Sequence, residues 1–169
     1  ALIAINFKYL IKAKEKVHTE KKKTFRKPDK SLVLLGVIGF CSMASEGIMF
    51  DWSGIYFKDV VKAPGPLIVI GYTSFMIMMA SGRFFGDRLI NKFGRKKVMQ
   101  ISGIMISFGL YSAVLFPYII PATIAFMIVG LGVSSIIPTL YSIAGKHQTI
   151  PTGEALTALS SVSFLGFLI

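Results

Sequence analysis

Four stretches of the chain are apolar for about twenty consecutive residues each, and this feature constrains the fold more than any other. A soluble domain of 169 residues can bury one hydrophobic core, but it cannot hide four such runs from water. The composition agrees, since 53% of the residues are hydrophobic and only 16% are charged, against about a quarter in soluble domains. The sequence therefore predicts an all-α integral membrane protein, a helical transmembrane bundle of about four complete spans and two partial ones.

Proline, glycine and charged residues divide the chain into segments that we expect to alternate between the two sides of a membrane. The predicted segments are the end of a transmembrane helix at 1–11, a basic cytoplasmic linker at 12–30 and a partial bundle over 31–169, with spans at about 31–57, 67–86, 98–116, 122–144 and 155–169. Because the chain starts partway through an apolar run, we expect it to be a piece of a longer protein, with the N-terminal half of that protein as its partner.

The net charge of +11 follows membrane topology rather than nucleic-acid binding. Most of the 19 Lys and Arg residues lie in residues 8–30 and 83–97, and such concentration in alternate loops is the positive-inside pattern. We therefore expect residues 12–30, 86–97 and 145–153 to be cytoplasmic. Anionic membrane lipid is expected to attract these segments as a secondary effect, and no nucleic-acid partner is predicted.

Glu46 is the most informative polar residue, because a carboxylate inside an apolar span requires an explanation. It lies about fifteen residues into the first full span, about 22 Å along the helix, in the outer half of the hydrocarbon layer. No Lys or Arg in the predicted spans sits at a matching depth. Glu46 is therefore protonated, paired with sequence outside this chain, or exposed to an aqueous cavity, and each of these indicates a function. The alternative is a neutral Glu hydrogen-bonded to the helix backbone or to a serine.

Other polar residues of the same span extend this candidate site. Ser42, Glu46 and Phe50 share one face of the helix. Polar side chains beside an aromatic ring on that face suit the binding of a polar solute. Asp51 lies about 140° around the helix from Glu46 and belongs to another face. It is a candidate for solute contact, with a place among the outer lipid headgroups as the alternative.

A cationic hairpin is predicted between the second and third spans, and we expect it to act as a cytoplasmic gate. Its residues are Gly82, Arg83, Gly86, Asp87, Arg88, Gly94, Arg95 and Lys96. Asp87, at the inner end of its helix, can accept hydrogen bonds from Arg side chains or from the free N–H groups that begin the helix near residue 152. Such a contact, here called the latch, would hold two helices together on the cytoplasmic side and release when they separate, as in a protein that alternates between two conformations. A solvated basic turn is the alternative, but it explains neither Asp87 nor the glycines.

The fourth span combines Gly130 and Gly132 with an interior proline, Pro138. A proline in a span frees a backbone carbonyl group and allows a kink, so a hinge or a cavity wall is as reasonable here as static packing. The sequence contains no nucleophile–base pair, no phosphate-binding loop and no metal-ligand spacing. It therefore predicts no enzyme, no metal and no cofactor.

The hairpin residues, from Gly82-Arg83 through Gly86-Asp87-Arg88 to Gly94-Arg95-Lys96-Lys97, resemble the cytoplasmic loop motif of the major facilitator superfamily. The spacing departs from the usual form, because more residues separate Asp87-Arg88 from Gly94. The run at 130–138 is similar to the family's tenth helix, and the basic segment before Ser31 is similar to its central loop. The run from Glu46-Gly47 through Asp51-Trp52-Ser53 to Tyr56 resembles the seventh helix of a bacterial branch near the fucose-permease-like sugar transporters.

This resemblance implies that the chain runs from the end of helix 6 to part of helix 11 in a protein of two six-helix halves, each built of inverted repeats. Helices 7, 8, 10 and 11 would face a central cavity and helix 9 the lipid, in the inner (plasma) membrane of a bacterium. The implied function is secondary active transport of a small solute, such as a sugar or another polar metabolite, by alternating access.

Glu46 is then the candidate for proton coupling, as in a symporter, or for accepting a solute hydroxyl. The other cavity candidates are Ser42, Phe50, Asp51, Tyr72, Met76 and Ser134. Two alternatives remain open. The Met-rich second span suits an adaptable apolar pocket, as in multidrug efflux. The helices could also belong to a non-transporting membrane scaffold or sensor, in which they only pack.

Overall fold

The fold is described from a computed structural model for residues 30–145 and 151–168, with Lys30 and Asp87 described by their backbone alone. Five α-helices follow one another over these residues, with no strand among them. They are α1 (Lys30–Ile55), α2 (Ile70–Phe93), α3 (Arg95–Leu115), α4 (Ile119–Ala144) and α5 (Thr152–Phe167). The predicted helix end at 1–11, the linker up to residue 29 and the turn at 146–150 lie outside the described residues.

Four helical segments are long and apolar enough to cross a membrane: Ser31–Val60, Gly65–Gly86, Arg95–Leu115 and Ile119–Ala144. The first includes a π-helical turn, Tyr56–Val60, that continues α1, and the second begins with a short 3-10 turn, Gly65–Leu67. The predicted all-α membrane bundle is therefore confirmed.

Helix α4 is the centre of the bundle, and two glycines let its neighbours approach it. A Cβ atom at Gly130 would overlap the carbonyl oxygen of Phe75 on α2, whereas a Cβ atom at Gly132 would lie 2.9 Å from the carbonyl oxygen of Ser102 on α3. Two residues along a helix turn the side-chain direction by about 200°. Gly130 and Gly132 therefore open opposite faces of α4, with α2 on one side and α3 on the other.

Helix α5 packs chiefly against α1. The two helices run parallel, because Gly36 lies beside Val162 and Gly47 lies beside Phe167. A Cβ atom at Gly166 would overlap the carbonyl oxygen of Phe40, and a Cβ atom at Gly47 would lie 2.8 Å from the carbonyl oxygen of Phe167. Tyr141 on α4 connects the group formed by α2, α3 and α4 to the α1–α5 pair, because its hydroxyl lies 2.9 Å from the Ser160 hydroxyl on α5.

The end of α1 is fixed by an aromatic cluster. The Tyr56 hydroxyl donates a 2.6 Å hydrogen bond to the carbonyl oxygen of Ala113 at the end of α3. Phe57 is fully buried, with its ring centroid 5.4 Å from that of Phe126 on α4. Only a glycine fits beside this ring at position 71, since a Cβ atom there would overlap Phe57. One end of α1 is thereby anchored to α2, α3 and α4.

Helix α2 extends further than the span predicted from the sequence. It remains helical for seven residues beyond Gly86 and ends at Phe93. The chain then reverses at Gly94, whose φ of 80° and ψ of 152° favour glycine, and α3 starts at Arg95. Asp87 therefore lies about 9 Å before the end of its helix, and not at the end as the sequence indicated.

Helix α3 has one buried and one exposed face. From Ile101 onwards, most of its exposed side chains are large and apolar, as expected of a helix surface that faces lipid. They include Ile101, Ile104, Phe108, Tyr111 and Val114. The opposite face, which includes Ser102, Ile106 and Gly109, packs on α4.

We predict that Gly130→Ala destabilises the full-length protein by about 1–3 kcal/mol, because the added methyl group meets the α2 backbone, which cannot rotate away. The matched control is Gly103→Ala on α3, where a Cβ atom has nothing within 4 Å. Thermal unfolding of the purified protein in detergent measures both variants. Equal melting temperatures for the two would contradict the close α2–α4 contact.

Candidate functional site

The carboxylate of Glu46 on α1 faces the guanidinium of Arg83 on α2. Glu46 Oε1 lies 3.8 Å from Arg83 Nη2, and the side chains are 11% and 55% exposed. The prediction that no Arg or Lys matches the depth of Glu46 is therefore wrong. Arg83 stands about 15 Å inside the end of α2, because the helix continues to Phe93. Side chains lean towards the start of their own helix, so in these antiparallel helices the two groups lean towards each other.

This ion pair is loose. Its 3.8 Å separation exceeds the 2.7–2.9 Å of a charge-assisted hydrogen bond. The other contact described for the guanidinium is also weak, since Nη2 lies 3.8 Å from the sulfur of Met79. The geometry therefore places opposite charges together without fixing them, and leaves more than half of the Arg83 side chain exposed.

Ser42, one helical turn before Glu46, is buried, and its hydroxyl has no hydrogen-bond partner among the described residues. Ser45 on the same helix instead donates to the carbonyl oxygen of Cys41 at 2.9 Å. A buried hydroxyl without a partner costs free energy and calls for an explanation. Ser42 and Glu46 are thus two buried polar residues that lie one helical turn apart on α1.

Two clefts border this part of the bundle. One, of about 580 Å³, runs along α2 and is lined by Met76, Met79, Ala80, Arg83 and Phe84. The second, of about 390 Å³, lies near the end of α1. Its lining residues are Phe50, Asp51, Ser53, Gly54, Ile55, Lys58, Ile68, Val69 and Tyr72. Of the sequence candidates, Met76 lines the first cleft and Phe50, Asp51 and Tyr72 line the second, whereas Ser42, Glu46 and Ser134 line neither.

Phe50 joins the walls of the second cleft. Its ring centroid lies 5.6 Å from that of Tyr72 and 6.2 Å from that of Phe75, both on α2. It lies 5.9 Å from that of Phe167 on α5. All three pairs meet edge to face, a favourable aromatic geometry. Phe50 therefore helps to hold α1 between α2 and α5 as well as lining the cleft.

Ser134 lies apart from both clefts, in the contact between α2 and α4. It is 1% exposed, and its hydroxyl donates to the carbonyl oxygen of Leu131 at 2.6 Å. A Cβ atom at Gly82 would overlap this hydroxyl, and a Cβ atom at Gly86 would lie 3.3 Å from the Ser135 hydroxyl. The glycines of the predicted gate therefore let α2 approach α4. Sequence reasoning missed this role, because it depends on which helix lies opposite.

Three basic residues of the predicted gate, Arg88, Arg95 and Lys96, lie around the α2–α3 turn. Arg88 is exposed, with its guanidinium carbon 6.0 Å from the centroid of the Phe85 ring, and Lys96 is exposed in the first turn of α3. Arg95 beside it is partly buried. The side chain of Asp87 lies outside the described residues, so its latch to the start of α5 stays a prediction.

Helix α4 is continuous through the predicted hinge, with Pro138 inside it. Gly130 and Gly132 are the packing points described above, so static packing explains both glycines, and the hinge stays a prediction. Among the described residues, no three side chains of the types that bind metals come together.

The comparisons with known proteins agree with this architecture. The model of the Major Facilitator Superfamily matches residues 1–169. An uncharacterized MFS-type transporter of Yersinia pestis is 30% identical over 137 residues, which are 81% of this chain and 36% of that protein. The membrane protein MosC of Rhizobium meliloti is 29% identical over 138 residues, 82% of this chain and 34% of that protein. An uncharacterized transporter of Sinorhizobium fredii is 29% identical over 137 residues, 81% of this chain and 36% of that protein.

The chain spans about a third of the length of the curated relatives it matches. No solved structure matches it significantly. Two of these relatives are described as transporters. With a family match along its whole length and four helical segments that can cross a membrane, the chain belongs to the Major Facilitator Superfamily.

Proposed function

We propose that the protein containing this chain is a secondary active transporter, which moves a small polar solute across a membrane by alternating access. This chain would form part of its C-terminal half. The observation that carries the proposal is the Glu46–Arg83 pair, an acid and a base that face each other across two membrane helices. Ionisable groups inside a membrane are costly and typically mark solute or ion pathways, so a bundle that only packs has no need of them.

Glu46 is the proposed proton carrier of the cycle. A carrier must alternate between an ionised and a neutral form, and each form requires its own surroundings. Arg83 offers a partner for the ionised carboxylate at 3.8 Å, and the looseness of the contact lets the two separate without breaking a strong hydrogen bond. Protons are therefore proposed as the coupling ion, and symport as the mode.

The clefts support a small solute as the cargo. Phe50, Tyr72 and Asp51 give the cleft near the end of α1 two aromatic rings and a carboxylate, a lining that suits a polar solute such as a sugar. The cleft along α2 is mostly apolar, with two thioether groups that adapt to varied shapes. That lining favours efflux of amphipathic drugs as the second candidate function. We place the protein in a bacterial inner membrane, in keeping with its bacterial relatives.

We predict that Glu46→Gln abolishes solute-driven proton flux, because the amide cannot ionise. The full-length protein is reconstituted into liposomes that contain a pH-sensitive dye, and a panel of sugars, small acids and cationic drugs is added. Asp59→Asn, an exposed acid on the π-helical turn, is the matched control and should retain the flux.

The outcomes separate the parts of the proposal. Flux that survives Glu46→Gln removes Glu46 as the carrier and keeps the transporter. Flux driven only by cationic drugs favours efflux. No flux with any compound, from a protein shown to be folded, contradicts coupled transport.

The gate is tested by Asp87→Asn, one helical turn beyond Arg83 on α2. We expect transport to slow by about three- to tenfold, because a neutral amide binds helix N–H groups and Arg side chains less well than a carboxylate does. Membrane insertion should not change, which western blotting of membrane fractions checks. Initial uptake rates equal to those of the wild-type protein would contradict the latch.

A further inference from the structure

We propose that the transported solute carries a carboxylate, and that this group binds Arg83 in place of Glu46 in the cleft along α2. The inference rests on the proposed transport function, but it replaces a sugar as the cargo with the class of small carboxylic acids that have an apolar body. Three observations carry it: the weak engagement of Arg83, the composition of the cleft, and the unpartnered hydroxyl of Ser42.

The guanidinium of Arg83 has capacity for a further ligand. It has five N–H donors in a planar fork that matches the two oxygens of a carboxylate. Among the described side chains, only the carboxylate of Glu46 and the sulfur of Met79 approach it, both at 3.8 Å. Neither contact is a strong hydrogen bond, and the side chain is 55% exposed. An incoming carboxylate could form the bidentate pair that Glu46 does not form.

The cleft beside Arg83 selects the rest of the solute. Its other lining residues, Met76, Met79, Ala80 and Phe84, are all apolar. The volume of about 580 Å³ suffices for a small organic molecule. A sugar would gain no hydrogen-bond partner from this apolar face of α2, whereas an aliphatic or aromatic acid would pair with the cation and cover the apolar side chains. The lining therefore fits a molecule with one anionic end and an apolar body.

Ser42 provides a second position for the displaced Glu46 carboxyl group. Side chains four residues apart on a helix are neighbours, and a helical Glu leans towards the start of its helix, here towards Ser42. The Ser42 hydroxyl is buried without a partner among the described residues, so it can hydrogen-bond a carboxyl group that leaves Arg83. The empty site thus pairs Glu46 with Arg83, and the loaded site pairs it with Ser42.

The exchange conserves charge if Glu46 takes up one proton. The solute carboxylate approaches Arg83, which stays cationic, and Glu46 gains a proton from the bulk solution, delivered as hydronium, to form its O–H bond. One anion and one proton then enter together, so the loaded site has the same net charge as the empty site. The charged residues of the other packed helices lie in first turns, namely Arg95, Lys96 and Lys97 of α3 and Glu154 of α5, and α4 contains no charged residue. On α2, Asp87 follows Arg83 by one turn.

The test measures binding to the purified full-length protein by isothermal titration calorimetry. The probes are hexanoate and benzoate, with hexanamide and benzamide as neutral analogues of the same shape. We expect the acids to bind at least about tenfold more tightly than the amides, and Arg83→Gln to remove that difference. Lys92→Gln, which removes an exposed cation elsewhere on α2, is the matched control and should bind the acids like the wild-type protein.

Glu46→Gln provides the sharper test, because it removes the group that competes for Arg83. We expect it to tighten acid binding by about tenfold, although the same variant loses proton coupling. Ser42→Ala should weaken acid binding several-fold, since the displaced carboxyl group loses its second partner. If Arg83→Gln fails to fold, Arg83→Lys replaces it and should weaken acid binding, because an ammonium group cannot form the bidentate pair.

Acid binding that is unchanged by Arg83→Gln, or weakened by Glu46→Gln, would overturn the inference. So would a wild-type protein that binds neither acid. If that protein still moves a neutral sugar in liposomes, the transport proposal survives and only the carboxylate site is lost. A protein that binds acids as expected but moves no solute would contradict transport and retain the site.

Discussion

Close approach of helix backbones is the constraint on which the rest of this structure depends. In lipid, helices gain little hydrophobic free energy by associating, so their packing relies on van der Waals contact between small residues. Gly130 and Gly132 allow α2 and α3 to reach α4 from opposite sides, and Gly47 and Gly166 do the same between α1 and α5. Larger residues at these positions would separate the helices and change the distances between the polar groups they carry.

The position of the charged pair follows from this packing. Phe50 contacts rings on α2 and α5, and Phe57 and Tyr56 fix the end of α1 against the other helices. Glu46, on the same face of α1 as Phe50, is thereby held towards Arg83 on α2. For the proposed role of Glu46 as a proton carrier, these aromatic contacts beside a loosely paired charge would let the charge move while the helices keep their register.

The continuity of α2 connects the predicted gate to the candidate solute site. Gly82 and Gly86 face α4, whereas Arg83, between them, extends along the cleft towards Glu46. Gly82, Arg83 and Gly86, which the sequence indicated as part of one loop motif, therefore lie on two different faces of one helix. Motion of α2 against α4 would move Arg83 relative to Glu46, so the proposed gate and the proposed site share one rigid element.

The sequence by itself determined the membrane class, the order of the helices and the membership of Ser42, Glu46 and Phe50 on one face, because length, hydropathy and helical period are local properties. It also indicated the family. Only the tertiary structure decided that Arg83 meets Glu46, that Ser134 packs against Gly82 rather than lining a cleft, and that α2 continues to Phe93. Which side chains meet between two helices depends on which helices are neighbours, on their register and on their crossing angle. The periodicity of a single helix gives no information about these.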